Sequence, residues 1–369
     1  MKLLETSEAK QDQSAPLLLR ARLLQSLGRG EEALPLLKAG MERNPSDKRL
    51  RLTYARQLVE LGRMDEARGE FSSLLQQFPE DDDLRFSLAL VCLEAEAWRE
   101  AIVYLEELIQ RDAHVDPAQY NLGRAHEALG EVDDALLAYS MVGGGTDYLP
   151  AQARMTDLLV ANGRSAEASR HLAEARDSEP EYALQLYLIE AESLSKQNKA
   201  DQAWNLIQQA LKQYPGDINL LYTRAMLAEP RGDLKQLERD LRLILEREPD
   251  NAMALNALGY TLVDRTDRHQ EGLELIQKAH DLNPEDPAIL DSLGWANYRL
   301  GNLAAAEKWL RQAFERFPDH EVAAHLGEAL WAQGKQREAR KIWRDALKEQ
   351  PESEILRSTV LRLTGSEKP

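Results

Sequence analysis

Residues 287–318 read PAILDSLGWANYRLGNLAAAEKWLRQAFERFP, and this stretch decides the fold. Leu290, Leu293 and Gly294 mark one helix, Ala306, Leu310 and Ala313 a second, with Gly301 between them and Pro318 at the end. The pattern recurs about every 34 residues, a period that signals stacked helical units. Ten copies run from residue 14 to residue 353. Their eighth positions are Ala21, Ala55, Ala89, Gly123, Thr156, Ala191, Ala225, Gly259, Gly294 and Gly327, all small. Their twentieth positions are alanine except Leu237 and Gly272. Two antiparallel helices can cross closely only where the crossing residue is small.

The remaining punctuation agrees. Glycine precedes the turn in seven copies, Gly28 and Gly301 among them, where a left-handed residue ends a helix. Prolines such as Pro45, Pro79, Pro249 and Pro318 stop the second helices, because proline cannot continue the hydrogen-bond ladder. These mutually spaced positions resemble the tetratricopeptide repeat family over about nine-tenths of the chain. The resemblance implies an all-α superhelical solenoid of about ten helix-turn-helix repeats plus a C-terminal capping helix. Repeats 1–4 would occupy 14–147 and repeats 5–10 would occupy 148–353. The capping helix would span 354–364 and a tail 365–369. The polar segment 1–13 reads as the end of a truncated preceding repeat.

Composition narrows the function. Of 369 residues, 46 are Lys or Arg and 63 are Asp or Glu, a formal charge of −17. So acidic a chain, with no basic stripe, repels phosphate backbones and anionic membranes. Mean hydropathy is −0.52, and no apolar run approaches the ~18 residues of a membrane span. The single cysteine, Cys92, falls at a helix-packing position and reads as a small buried hydrophobe.

The pattern weakens in three places. Gly143, Gly144 and Gly145 replace a helix end and proline, making 142–150 the candidate bend or subdomain boundary. Copy seven combines Pro230 with Leu237, which predicts a splayed helix pair. Copy eight carries an extra residue within 264–270, which predicts a longer turn. At the C-terminus Leu356, Val360 and Leu363 share one face of 354–364, as a cap requires. In copy one, Leu17, Leu18, Leu19, Leu23, Leu24 and Leu27 spread apolar surface around the helix, as though earlier repeats once packed there.

Motifs for chemistry fail on geometry. HEVAAH at 320–325 separates His320 and His325 by five residues, about 500° of helix, leaving the imidazoles about 140° apart. The glycines after Met141 follow a helix rather than a strand, unlike a dinucleotide loop. Residues 80–83, EDDD, lack the glycine and distal glutamate of a calcium loop and suit a helix N-terminus. No catalytic, metal-binding or cofactor-binding residues are expected.

The wall of first helices is the better candidate. Their positions 5, 9 and 12 lie three or four residues apart and form one stripe. In copies one to four the stripe offers Arg22, Arg56, Phe86, Leu90, Tyr120 and Arg124, suited to a peptide carrying carboxylates. In copies seven to ten it offers Tyr222, Met226, Tyr260, Trp295, Tyr298 and Trp331, suited to an extended apolar segment. These residue types are enriched at protein interfaces. Trp309 and Trp343 fall on second helices and read as core.

Residues 256–343, beginning NALGYTLVDR, are similar to large envelope lipoproteins of gamma-proteobacteria, among them adaptors of a periplasmic carboxyl-terminal processing protease. The resemblance implies a non-catalytic adaptor that holds the protease and presents cell-wall hydrolases to it. Its partners would be proteins rather than nucleic acid. This chain would not insert into a membrane, although the full-length precursor would be lipid-anchored at the periplasmic side of the outer membrane. The alternatives are a cytoplasmic co-chaperone or assembly factor, or the regulatory arm of a larger enzyme. The Lys and Asn clamp of co-chaperones is replaced by Leu18 and Arg22, Leu52 and Arg56, and Phe86 and Leu90.

Overall fold

The computed structural model describes residues 14–366 and 369, and every regular element among them is helical. The chain divides into two compact units, 1–193 and 194–369. The first contains α1 (Ala15–Ser26), α2 (Ala33–Arg43), α3 (Lys48–Glu60), α4 (Met64–Gln77), α5 (Asp82–Glu94), α6 (Trp98–Gln110), α7 (Val115–Ala128), α8 (Val132–Ser140), α9 (Tyr148–Ala161) and α10 (Ser165–Ser178). The division falls within α11 (Ala183–Lys196). The second contains α12 (Ala200–Gln213), α13 (Ile218–Ala228), α14 (Leu234–Arg247), α15 (Ala252–Arg265), α16 (His269–Leu282), α17 (Pro287–Arg299), α18 (Leu303–Arg316), α19 (His320–Ala332), α20 (Gln336–Glu349) and α21 (Glu354–Thr364). None of these is long and apolar enough to cross a membrane. The polar segment 1–13 lies outside the described residues.

Within each unit the small positions do what their size requires. All ten eighth positions and all ten twentieth positions are buried at the crossing of first and second helices. The residue before the turn is left-handed in nine copies. Seven use glycine; Glu96 (φ 56°) and Asn198 (φ 57°) take that conformation without it. Second helices end at their prolines, and most first helices then start from a side-chain cap: Asp47, Asp81, Asp217, Asn251, Asp286 and Asp319 each accept a backbone N–H. The acidic run is such a start, with Asp81 accepting from the Leu84 N–H at 3.0 Å and Asp82 and Asp83 in the first turn.

Copies seven and eight depart from expectation. α13 and α14 pack directly against each other rather than splaying. Leu237 is fully buried between them, and Arg224 on α13 grips Asp240 on α14 with two bonds, Nε to Oδ2 at 2.8 Å and Nη2 to Oδ1 at 2.7 Å. In copy eight the turn 266–268 is no longer than its neighbours. Thr266 is extended there and its hydroxyl donates to the Leu262 carbonyl, so a side chain does the work of the missing glycine. Gly143–Gly145 lies inside the first unit, where the Gly143 N–H donates to Asp116 at 2.8 Å and α8 still packs on α9.

α15 crosses α16 backbone to backbone. A Cβ on Gly272 would stand 2.6 Å from the Gly259 carbonyl oxygen, and one on Gly259 would stand 2.7 Å from the Gly272 carbonyl oxygen. Backbone atoms of packed helices cannot step aside as a side-chain tip can. Gly272→Ala should therefore destabilise the second unit by about 1–3 kcal/mol, the usual cost of overpacking. Hydrogen exchange in α15 and α16 measures it; unchanged protection would mean the helices part freely.

The cap is as expected. Leu356 and Val360 of α21 are fully buried in a cluster with Leu326, Leu330 and Trp343, while Arg357 and Ser358 are exposed. At the other end Leu17, Leu18 and Leu24 pack on α2 and α3, whereas Leu19, Leu23 and Leu27 are exposed. Cys92 is buried in an apolar cluster, and that burial pushes its thiol up to about 12. Trp343 is core; Trp309 is half-buried, with the Lys308 ammonium 4.3 Å from its ring centroid.

Candidate protein-binding groove

In the second unit the first helices of neighbouring copies touch, α15 on α17 and α17 on α19. Their shared wall bounds a cavity of about 660 Å³. Tyr222 and Met226 of α13, Met253, Asn256 and Tyr260 of α15, and Ile289 and Asp291 of α17 line it. Phe317, Asp319 and Glu321 close the far side. Met253 and Phe317 are exposed apolar side chains at its rim. A second cavity of about 480 Å³ shares Tyr260 and Glu321 with the first, and reaches Asp264, Trp295, His325, Glu328 and Arg362.

The anticipated anchors are therefore distributed unequally. Tyr222, Met226 and Tyr260 meet in the larger cavity. Trp295 is only 8% exposed and forms part of the wall itself. Its ring stacks on His325 (centroids 4.2 Å apart) and Tyr298 (5.0 Å), and its indole N–H donates to Asp264 at 3.1 Å. Tyr298 donates to Glu328 at 2.9 Å, which also pairs with Arg362 of the cap. Burial and Glu328 push that phenol up to about 12. Trp331 is half-buried against Trp343, with the Arg340 guanidinium 5.1 Å from its ring centroid. Neither Tyr298 nor Trp331 lines these two cavities.

In the first unit Arg22 and Arg56 are exposed, with no ion pair among the described residues. Phe86 and Leu90 are half-buried against the apolar core, and Phe86 stacks on His114 at 4.9 Å. Tyr120 tilts against Tyr139, while Arg124 donates to Asn121 at 3.0 Å and lies 3.9 Å from Glu94.

Reading only positions 5, 9 and 12 overlooked the groove's polar side. Asp286 and Asp319 are helix caps, Phe317 ends a second helix, and His325 sits at position 6 of its copy. The caps were legible, since each follows a proline stop by one or two residues. Of the two HEVAAH histidines, His325 is buried with Nδ1 2.9 Å from Asp291, while His320 stays beside Asp319. His126, Glu131 and Asp134 also converge, a grouping that spacing had not suggested. His126 and Arg99 both engage the Glu131 carboxylate there and hold it below the ordinary range.

Burial opposes charge on His325, but the Asp291 carboxylate, with Glu321 and Asp264 nearby, outweighs it and raises the imidazole above its ordinary 6.5. A raised value means stability that is complete below 6.5 and lost as pH rises through the folded-state value. The second unit should thus soften as pH rises above 6.5 and through the folded-state value. Thermal melting of the full chain against His325→Gln tests this: the slope should flatten in the variant, and equal slopes would contradict it.

A stack of helix pairs with small crossing residues, left-handed turns and a wall of first helices defines a protein class. Models of the tetratricopeptide repeat match residues 24–91, 92–144, 262–321 and 325–353. The chain belongs to the tetratricopeptide repeat family. A TPR repeat-containing protein of Pseudomonas aeruginosa is 63% identical over 367 residues, covering 100% of this chain and 62% of that protein. The chain thus spans under two-thirds of that relative's length. The human protein O-mannosyl-transferase TMTC1 is 25% identical over 176 residues, 46% of this chain and 20% of that protein. The crystal structure of yeast Tom70 superposes with a TM-score of 0.53 at 14% identity, covering 95% of this chain and 88% of that one, a likeness of fold.

Proposed function

We propose that the chain is a non-catalytic scaffold that holds other polypeptides against its first helices. The observation that carries this reading is the groove over α13, α15, α17 and α19, where exposed Met253 and Phe317 flank tyrosines on a preformed wall. Such a surface supplies rigid apolar anchors with polar groups around them, the anatomy of a protein interface. Two of the titratable groups nearby are already engaged, His325 by Asp291 and Glu328 by Tyr298 and Arg362. That engagement favours recognition over bond-making.

Within this reading the partner is a periplasmic carboxyl-terminal processing protease, and the scaffold presents cell-wall hydrolases to it from the periplasmic face of the outer membrane. The likeness of residues 256–343 to envelope lipoprotein adaptors supports it. The test is to mix the purified full chain with the purified protease and a cell-wall cross-link hydrolase. Retention of the protease and faster cleavage of the hydrolase are expected. Neither binding nor a change in cleavage rate would remove the adaptor role. Regulation of a larger enzyme is the second reading, supported by the partial likeness to a protein named as a mannosyltransferase.

A further inference from the structure

The larger groove carries an unbalanced charge. Asp286, Asp291, Asp319 and Glu321 line it, and no Lys or Arg does. Elsewhere carboxylates of this chain commonly pair with arginine, as Asp240 does with Arg224 and Glu190 with Arg176. Among the described residues none of these four has a Lys or Arg partner; the basic groups beside them are imidazoles, His325 at 2.9 Å from Asp291 and His320 at 3.8 Å from Asp319. Asp286 and Asp319 cap their helices through Oδ1, and Glu321 accepts from the Tyr260 hydroxyl through Oε1 at 3.0 Å. Each keeps its second oxygen for another donor.

A separate observation points the same way. The Asn256 side-chain oxygen is buried with no hydrogen-bond partner, and Asn256 lines this groove. A buried acceptor without a donor costs free energy, which an incoming N–H recovers once the atoms covering it shift aside. Positive charge is what the groove lacks; apolar contact it already offers through Tyr222, Met226 and the exposed Met253 and Phe317.

We infer that this groove takes an extended peptide segment of a partner protein in which a lysine or arginine is flanked by apolar residues. The cation sits among Asp286, Asp319 and Glu321, a backbone or side-chain N–H reaches Asn256, and the apolar neighbours rest on Met226, Met253 and Phe317. The inference rests on the scaffold reading and adds the chemistry of the segment that is held. Electrostatic complementarity of this kind selects the partner more than it tightens the complex.

The experiment titrates the full chain into a fluorescein-labelled ten-residue peptide of alternating leucine and lysine, and into the same peptide with glutamate for lysine. Anisotropy should rise with the lysine peptide only, and the affinity should fall as salt rises from about 50 mM to about 300 mM. The isosteric triple variant Asp286→Asn, Asp319→Asn, Glu321→Gln keeps the caps and should weaken binding on the order of 10-fold. Removing as much charge elsewhere, with Glu42→Gln, Glu60→Gln and Glu106→Gln, should leave affinity unchanged. Equal binding of the glutamate peptide, or equal weakening by the two triple variants, overturns the inference. If groove positions cross-link to a protein partner while the lysine peptide fails to bind, the scaffold stands and the cationic segment falls.

Discussion

Arg224→Ala is expected to destabilise the second unit by about 3–5 kcal/mol, because it leaves a carboxylate buried without its cation. The Asp240 side chain is 1% exposed, and its two oxygens take both arginine bonds, with Gln236 the only further donor among the described residues, at 2.9 Å. Water cannot replace the guanidinium at that depth. The pair spans α13 and α14, so hydrogen exchange should accelerate in both. Replacing both partners by apolar residues, Arg224→Met with Asp240→Leu, should recover most of the loss, since the desolvation cost disappears with the charges. Equal losses in the single and double variants would show that packing, not charge, closes this pair.

Trp343→Ala should cost about 3–5 kcal/mol, the range for deleting a buried tryptophan. Trp343 is fully buried, and its indole lies so close over α19 that a Cβ on Gly327 would clash with the ring nitrogen. Leu356 and Val360 of the cap belong to the same cluster. A cavity there removes the floor on which α21 rests, and stability in a repeat array is a sum of neighbouring interfaces. Exchange should therefore rise first in α19, α20 and α21 and spread inward. Protection lost uniformly through 194–369 would mean the unit melts as one body.

The repeat was legible because its constraints are local and steric. A small residue at positions eight and twenty, and a stop at the proline, each act over one helix pair, and ten copies averaged out exceptions. Copy seven shows the limit. Leu237 suggested a gap between helices, but a distant-in-sequence pair, Arg224 with Asp240, draws them together, and periodicity carries no sign of that partnership. Likewise Glu96 and Asn198 hold the left-handed turn without glycine. Of the groove lining, Tyr222, Met226 and Tyr260 on first helices could be read from their stripe. Trp295 could not be placed, because its burial depends on His325 arriving from the next copy. The stripe of first-helix positions leaves out the carboxylates; that Asp286, Asp291, Asp319 and Glu321 face one cavity follows from stacking.

The most direct measurement places a photo-reactive phenylalanine analogue at Tyr222 or Met226 in the groove, and at Lys235 or Glu246 on exposed positions of α14, in cells making the full chain. Covalent adducts to another protein should form from Tyr222 and Met226 and be absent from Lys235 and Glu246. Equal capture from α14, or none from the groove while a partner still co-purifies, would contradict a scaffold that grips through its first helices.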